Sequence, residues 1–379
     1  MVCQCRRRGR RTPPFDMSHG ARSFLSPSPH LPHPLPMLDL TRDPSSDPLR
    51  LYRYRDGIYA VDLLNAAVVH LDFFTWLAAH PSDAATICRE LQLAARPVDV
   101  MLTLFRANGF VREANGVHHV TEVAREHLVQ GSPWFLGPYF GSLKDRPVTL
   151  DMLKVLRTDK PANWGSSKSE KEWSKAMEDE DFARRFTAAM DCRGIYLGRA
   201  VAKTLAPGGR TRLLDIAGGS GIYACAIAAG HPDVRATVFE KPPVDLVAAK
   251  HIAERGFAGR VNVLPGDMFR DPLPTGFDMH LFSNVLHDWD TPVVKQLLEK
   301  SFAALPPGGL LIIHDMHLSA DKTGPLPVAE YSVILMHSTE GKCYSLGELT
   351  ELFAQVGFQN LKHQPTAADR SIVTAEKAR

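Results

Sequence analysis

An α/β protein with a seven-stranded sheet, parallel except for its last strand, and an α-rich domain ahead of it is what this 379-residue sequence predicts. Two observations carry the prediction. From Arg210 onward the apolar, strand-like runs "TRLLDIAG", "RATVFE", "RVNVLPGD", "FDMHLFSNV" and "GLLIIHDMHL" are interleaved with helical stretches, and that alternation builds a parallel sheet covered on both faces. Before it, residues 50–130 read as helix, turn, helix and hairpin. The chain also exceeds one ordinary core, since a domain averages roughly 150 residues.

Taken in order, residues 1–46 form a basic, Pro-rich tail. "CRRRGRRTPPF" and "SPSPHLPHPLPM" cannot bury enough apolar surface to fold, so the tail is expected to be disordered. It lacks the apolar core of a secretory signal, and its prolines spoil an amphipathic transit helix. Residues 47–150 make the α-rich domain: "SDAATICRELQLAARPVDVMLTLFRANGFV" gives a capped helix, a break at Arg96 and Pro97, and a second helix closed by Asn108 and Gly109. Asn115 and Gly116 then sit between two alternating runs, a type I′ hairpin signal. That order is a winged helix, an architecture that often reads DNA. From Arg50 to Gln130, however, eight arginines face nine acids with no lysine, and the would-be reading helix "VDVMLTLFRAN" is mostly apolar. Phosphate binding needs cations, so a protein partner, such as a second copy, is the expected one, with no nucleic acid.

Residues 151–208 read as a helical connector or pocket wall. Trp173, Met177, Phe182, Phe186 and Met190 fall at helical spacings, either as core or as a face lining a ligand. Residues 209–379 form the sheet domain, which ends in a helix opened by the capping-box pair Ser345 and Glu348 and in the strand candidates "FQNLKHQPT" and "DRSIVTAEK". Apolar residues at 44% and charged residues at 23% suit a globular protein, and no apolar stretch reaches the roughly 18 to 20 residues of a membrane-spanning helix. Six scattered cysteines show neither a zinc ribbon nor a disulfide framework, so reduced thiols in a cytoplasm are expected.

The chemistry concentrates at strand ends. In "LLDIAGGSGIYACAIA" the glycines 218, 219 and 221 let backbone approach a ligand closely, Asp215 closes the strand, and the next helix offers free N–H groups. "ATVFEK" ends the second strand in Glu240, placed to accept two ribose hydroxyls. These features indicate an adenosine cofactor. Gly219, Gly221 and Ala224 also satisfy a dinucleotide fingerprint, which keeps a nicotinamide oxidoreductase open. Asp215 and "PGDMF" favour S-adenosyl-L-methionine instead, with Asp267 taking the adenine amino group and Met268 stacking on the ring. "LFSNVLHDWD" then delivers His287, Asp288, Trp289 and Asp290 at the end of a buried run, where open α/β sheets place ligands. Trp289 and Met336 are candidate pocket residues, with Trp289 equally readable as a cover for the sheet edge; Asp290 reads as a helix cap. His314, Asp315 and His317 invite a metal, yet neighbours on a strand point to opposite faces, so none is expected. His280 and His337 read as structural.

In this order "LLDIAGGSG", "FEKPPV", "GDMF" and "NVLHDWD" resemble the small-molecule O-methyltransferases of the caffeate, isoflavone and acetylserotonin type, bacterial members included, over about residues 50–379. The resemblance implies a Rossmann-like methyltransferase domain preceded by a winged-helix dimerisation domain, and hence a homodimer acting on a small hydroxylated acceptor. It implies cofactor contacts at Gly218, Gly219, Glu240, Asp267 and Met268, a general base in His287 and an orienting acid in Asp315. Two positions depart from it: Cys343 stands near where relatives carry a second orienting acid, and Ser283 where plant relatives carry a cofactor-contacting lysine. A relative that decarboxylates or hydroxylates, and a ligand-sensing regulator, are the competing readings; a retained His287 disfavours the first and the acidic α-rich domain the second.

Overall fold

The computed structural model describes residues 39–162 and 180–378. The chain enters through α1 (Leu49–Asp56), α2 (Ala60–Asn65, running on through a π turn to His70), α3 (Phe73–Ala79), α4 (Ala84–Leu91) and α5 (Ala95–Ala107). Asp83 caps α4 by accepting the Thr86 N–H, as a helix start requires. The break between α4 and α5 falls at Gln92 to Ala94, not at Arg96 and Pro97. Pro97 sits in the first turn of α5, where its missing N–H has no helical partner to lose. The hairpin β1 (Val111–Ala114) and β2 (Val117–Val120) turns on Asn115 and Gly116, both at positive φ (52° and 77°), as the type I′ turn demands. Then come α6 (Glu122–His127), α7 (Gly137–Gly141) and α8 (Pro147–Thr158).

After α9 (Glu180–Thr204), the sheet domain alternates β3 (Arg212–Ile216), α10 (Ile222–Gly230), β4 (Arg235–Glu240), α11 (Val244–Glu254), β5 (Val261–Pro265), β6 (Met279–Ser283), α12 (Thr291–Ala304) and β7 (Leu310–Asp315). It finishes with α13 (Leu326–Ser338), α14 (Leu346–Val356), β8 (Phe358–Pro365) and β9 (Ser371–Lys377). The strand order is β5-β4-β3-β6-β7-β9-β8, with β9 antiparallel to both neighbours and the rest parallel. The last strand is therefore the antiparallel one, as expected. The chain reverses direction across the sheet between β3 and β6, the switch point where open α/β sheets form a crevice at their carboxyl ends. Alternate residues feed the two faces: Leu213, Leu281 and Ile312 join the core under α9, α10 and α11, while Leu214, Phe282 and Ile313 join the one under α12 and α14.

Three expectations about organisation need correcting. Residues 39–46 belong to the folded body: Leu40 is 4% exposed within the sheet core, and Asp43 pairs with Arg199 and Lys203 of α9. Residues 47–150 do not keep a core to themselves. Phe73, Phe74, Met101 and Phe105 share one with Met152 and Leu156 of α8 and with Val328, Ile334 and Met336 of α13. The connector divides accordingly, α8 joining the helical core and α9 the sheet. The physical reason is α13 itself: "LPVAEYSVILMHS" is apolar around most of its circumference, and such a helix is stable only when covered on several sides. No single helix among the described residues is long and apolar enough to cross a membrane.

A charged cluster fastens the two parts where they meet. Lys322 Nζ lies 2.8 Å from Asp99 Oδ1 on α5 and 2.8 Å from Glu348 Oε1 on α14, and Lys342 bridges the same two carboxylates. Burial raises both carboxyls, but the two ammonium groups outweigh it and hold them below their ordinary range. Depressed carboxyl pKa values contribute stability that is complete above the unfolded values and lost as pH falls through the folded ones. Lys342→Met should therefore cost about 1–2 kcal/mol at pH 7, with its thermal midpoint converging on that of the unaltered protein as melts are taken down toward pH 3.

Candidate active site

Each functional side chain is delivered by the end of a strand. β3 runs into the turn Ala217–Gly221, where Gly219 and Gly221 take positive φ (59° and 74°), and α10 starts at once. Gly218 has no room for a side chain: a β-carbon there would stand 2.6 Å from the Asp215 carboxyl carbon. Asp215 is thus packed behind the turn rather than in front of it. Neither of its oxygens has a hydrogen-bond partner at normal geometry, and burial first, then the Glu240 charge, push its pKa up to about 7 against a weak pull from the Ala224 N–H. At the end of β4, Glu240 accepts the N–H groups of Gly219 (2.8 Å) and Lys241 (2.7 Å). Burial lifts its carboxyl to about 7 despite those bonds.

β6 ends in Ser283, Asn284 turns at φ 54°, and a single 3₁₀ turn, Leu286–Asp288, presents His287. His287 is 5% exposed, and its Nδ1 lies 2.6 Å from Oδ1 of Asp315, the last residue of the neighbouring β7. Burial raises the Asp315 carboxyl, but the imidazole charge, its hydrogen bond and the Met316 N–H bring it down to about 2. An ionised carboxylate can only accept, so the proton on this contact sits on Nδ1, and the nitrogen a neutral imidazole would offer as a base is Nε2. Nε2 stands 3.8 Å from Oδ1 of Asp288. The edge-on ring of Tyr331, from α13, is centred 5.8 Å from the imidazole.

These groups surround a cavity of about 220 Å³ at the switch point. Of the residues singled out by sequence, Gly218, Gly219, Glu240, Met268, Ser283, His287, Trp289 and Met190 line it. Asp215, Gly221 and Asp315 stand one layer behind. Asp267 is not among the lining residues; its carboxylate accepts the Phe269 N–H at 2.9 Å and lies 3.8 Å from Lys241 Nζ. Met336 is a correction: it is wholly buried in the helical core, and its neighbours Leu335 and Ser338 face the cavity instead. Met177 lies outside the described residues, as does the side chain of Phe186. Trp289 lines the cavity and packs T-shaped on Phe269, with ring centres 4.8 Å apart. Asp290 caps α12 by accepting the Val293 N–H.

Three other buried histidines have serine partners. His280 meets Ser301 Oγ at 2.9 Å, His314 meets Ser283 Oγ at 2.9 Å, and His317 meets Ser371 Oγ at 2.7 Å. Burial drives all three pKa values down, to about 3, 3 and 4. Among the described residues no group of three or more His, Cys, Asp and Glu side chains is placed to hold a metal. Cys343 is buried, its N–H bonded to Ser332 Oγ, and burial with the nearby Asp315 charge lifts its thiol well above the usual range. It supplies no second carboxylate for His287.

Sequence reasoning missed Arg193, Ser220, Tyr223, Asn284 and Tyr331, all on the cavity wall. The only signal for Tyr331 was a polar aromatic inside an otherwise apolar helix.

A family model described as an O-methyltransferase domain matches residues 151–359. The chain belongs to the S-adenosylmethionine-dependent O-methyltransferases. An O-methyltransferase family 2 protein from Planctomyces limnophilus, solved in complex with apigenin, is 34% identical and superposes with a TM-score of 0.82 over 90% of this chain and 99% of its own. The 3-hydroxy-5-methyl-1-naphthoate 3-O-methyltransferase of Streptomyces sahachiroi is 29% identical over 319 residues, 81% of this chain and 88% of its own. The tetracenomycin polyketide synthesis 8-O-methyl transferase of Streptomyces glaucescens is 25% identical over 320 residues, 83% and 92% of the two chains.

In this methyltransferase the turn bearing His287 is clamped from outside the sheet. Gly341 lies so close that a β-carbon on it would stand 2.1 Å from the His287 carbonyl oxygen, and Arg96 of α5 donates to the Gly341 carbonyl at 2.7 Å. Gly341→Ala must therefore displace the histidine's backbone. Turnover is expected to fall at least about tenfold, since sub-ångström to ångström misplacement is costly, while cofactor affinity measured by calorimetry stays near that of the unaltered enzyme.

Proposed function

We propose that this methyltransferase moves the methyl group of S-adenosylmethionine to a hydroxyl of a small, natural-product-like aromatic acceptor, with His287 as general base. The observation that carries this reading is the His287–Asp315 contact at 2.6 Å on the wall of the cavity. Bound S-adenosylmethionine supplies a methyl carbon activated by a sulfonium. A neutral hydroxyl is a weak nucleophile, and removing its proton as it attacks is worth about 10²–10⁴ in rate. Asp315 fixes the ring and its tautomer, so that Nε2 receives the proton, and the buried negative charge stabilises the imidazolium that forms. The relatives named above, acting on a naphthoate and in polyketide synthesis, support an aromatic acceptor.

The chain's residues fit the cofactor. Glu240 spends one hydrogen bond per oxygen on backbone and keeps further acceptor sites for ribose hydroxyls. Ser220 Oγ and Asn284 Oδ1, both buried on the cavity wall, have no partner among the described residues and suit the polar groups of the methionine part. Gly218 lets the turn close over Asp215 with bare backbone toward the cavity, and Met268 and Ser283 complete the wall. Asp267 accepts the Phe269 N–H at Oδ1 and keeps acceptor sites for the adenine amino group.

His287→Ala is expected to lower kcat by about 10²–10⁴ with cofactor affinity retained, because Glu240 and the glycine turn are untouched. Asp315→Asn should also lower kcat with cofactor affinity retained, because it removes the acceptor that orients the ring and the charge that stabilises the imidazolium formed on proton transfer. Folded His287→Ala protein that turns over normally but binds cofactor weakly would overturn the assignment.

The same reading makes residues 47–150 a winged-helix domain through which two copies pair in the cytoplasm. Large apolar side chains lie bare there, Leu51, Tyr54 (84% exposed), Trp134 and Tyr139 (76%) among them, and patches of this kind on a folded surface usually meet a partner. The thiols of Cys88, Cys192, Cys225 and Cys343 are all free, as in a reducing compartment. Sedimentation velocity at micromolar concentration should return a dimer; a monomer there would remove the pairing from the account.

A further inference from the structure

The proton transfer uses no positive side chain, yet two guanidinium groups line the cavity: Arg193 from α9 and the half-exposed Arg55 from α1. Arg193 is the informative one. Its Nη1 donates to the Tyr331 hydroxyl at 3.3 Å, while its Nε is buried and has no acceptor. Among the described residues no carboxylate pairs with it. The nearby acids are committed elsewhere, Asp56 to Arg370 at 3.0 Å and Asp191 to Arg255 at 2.5 Å. A guanidinium stays charged at any working pH, and a charge withdrawn from water without a counter-ion is unfavourable unless a bound molecule supplies one. The hydroxyl of a neutral tyrosine does not.

The position of Arg193 says which end of the cavity that molecule occupies. Tyr331, which accepts its hydrogen bond, packs edge-on against His287, so Arg193 is one side chain removed from the proton-accepting ring. Glu240, the group suited to the ribose, stands apart at the end of β4, whereas the start of α10 after the glycine turn lies beside α9, with Ile222 against Gly194 and Tyr223 near Arg193. The methyl donor also brings its own sulfonium charge, so an acceptor carrying an anion relieves two cations at once.

We propose that Arg193 binds a carboxylate of the acceptor, and that the enzyme prefers hydroxylated aromatic acids over the corresponding neutral phenols and esters. The inference rests on the methyl-transfer reading above. The same chemistry, a carboxylate, could also be brought in by the amino-acid end of the cofactor, and the experiment separates the two sources.

The probes are 3-hydroxy-1-naphthoate, its methyl ester, and S-adenosylhomocysteine, used with the full-length enzyme and its Arg193→Met and Arg193→Lys variants. Losing a charge-assisted hydrogen-bonded pair should raise the KM for the acid, and its calorimetric Kd on the enzyme–S-adenosylhomocysteine complex, by about 10- to 100-fold in Arg193→Met. The ester should change by less than about threefold, S-adenosylhomocysteine should bind as before, and Arg193→Lys should recover part of the loss. Equal losses for acid and ester overturn the proposal, as does an unaltered enzyme that prefers the ester. Weakened S-adenosylhomocysteine binding with the acid-to-ester ratio intact also overturns it, assigning the guanidinium to the cofactor's carboxylate. Arg193-dependent binding of the acid without any methyl transfer would uphold the anion site and sink the methyl-transfer reading instead.

Discussion

A carboxylate kept ionised in the interior sets the terms for the rest of this molecule. Asp315 is 4% exposed, and a charge so placed is tolerated only with a partner and hydrogen-bond donors, which here meet at Oδ1. His287 and the Met316 N–H provide them. Because the two side chains come from the ends of adjacent strands, β6 and β7, the sheet's own ladder fixes their separation. The clamp on the histidine's backbone is more distant in sequence: Gly341 against its carbonyl, Arg96 on Gly341, and Asp159 at 2.7 Å from Arg96 Nε. The helical region thus reaches the His287 turn through hydrogen bonds as well as through shared apolar packing.

What could be read from the sequence was what is decided locally. Asn115–Gly116, the Ser345–Glu348 capping box and the Asp290 cap are contests between a few neighbouring groups, and the structure contains each of them. The strand runs and their carboxyl-end residues were legible because a buried parallel strand needs continuous apolar sequence, so His287 or Glu240 at its end stands out. Leu40 was not legible, since one apolar residue in a Pro-rich stretch carries no periodicity. Arg193 and Tyr331 were missed for a different reason: only the packing of α9 against α13 brings their polar tips together.

Met336 shows where periodicity fails even inside a well-predicted helix. Choosing which residues of a helix face a cavity requires knowing its rotational phase, and an amphipathic stripe normally gives that. In α13 Ile334, Leu335 and Met336 are apolar alike, so sequence offers no phase. The structure sets it by packing the helix between the helical core and the cavity, so that Ile334 and Leu335 border both while Met336 meets the core alone.

That arrangement has a bearing on how the enzyme can change. The cavity wall and the ridge that holds the two halves of the chain together are adjoining, partly shared faces of one helix. A substitution that enlarges the cavity at Leu335 leaves Met336 in place but alters the rigid rod that positions it, and insertion of one residue would rotate every side chain by about 100°. Acceptor range in this scaffold is therefore free to drift by exchanging side chains along α13, while insertions and deletions there are closed to it.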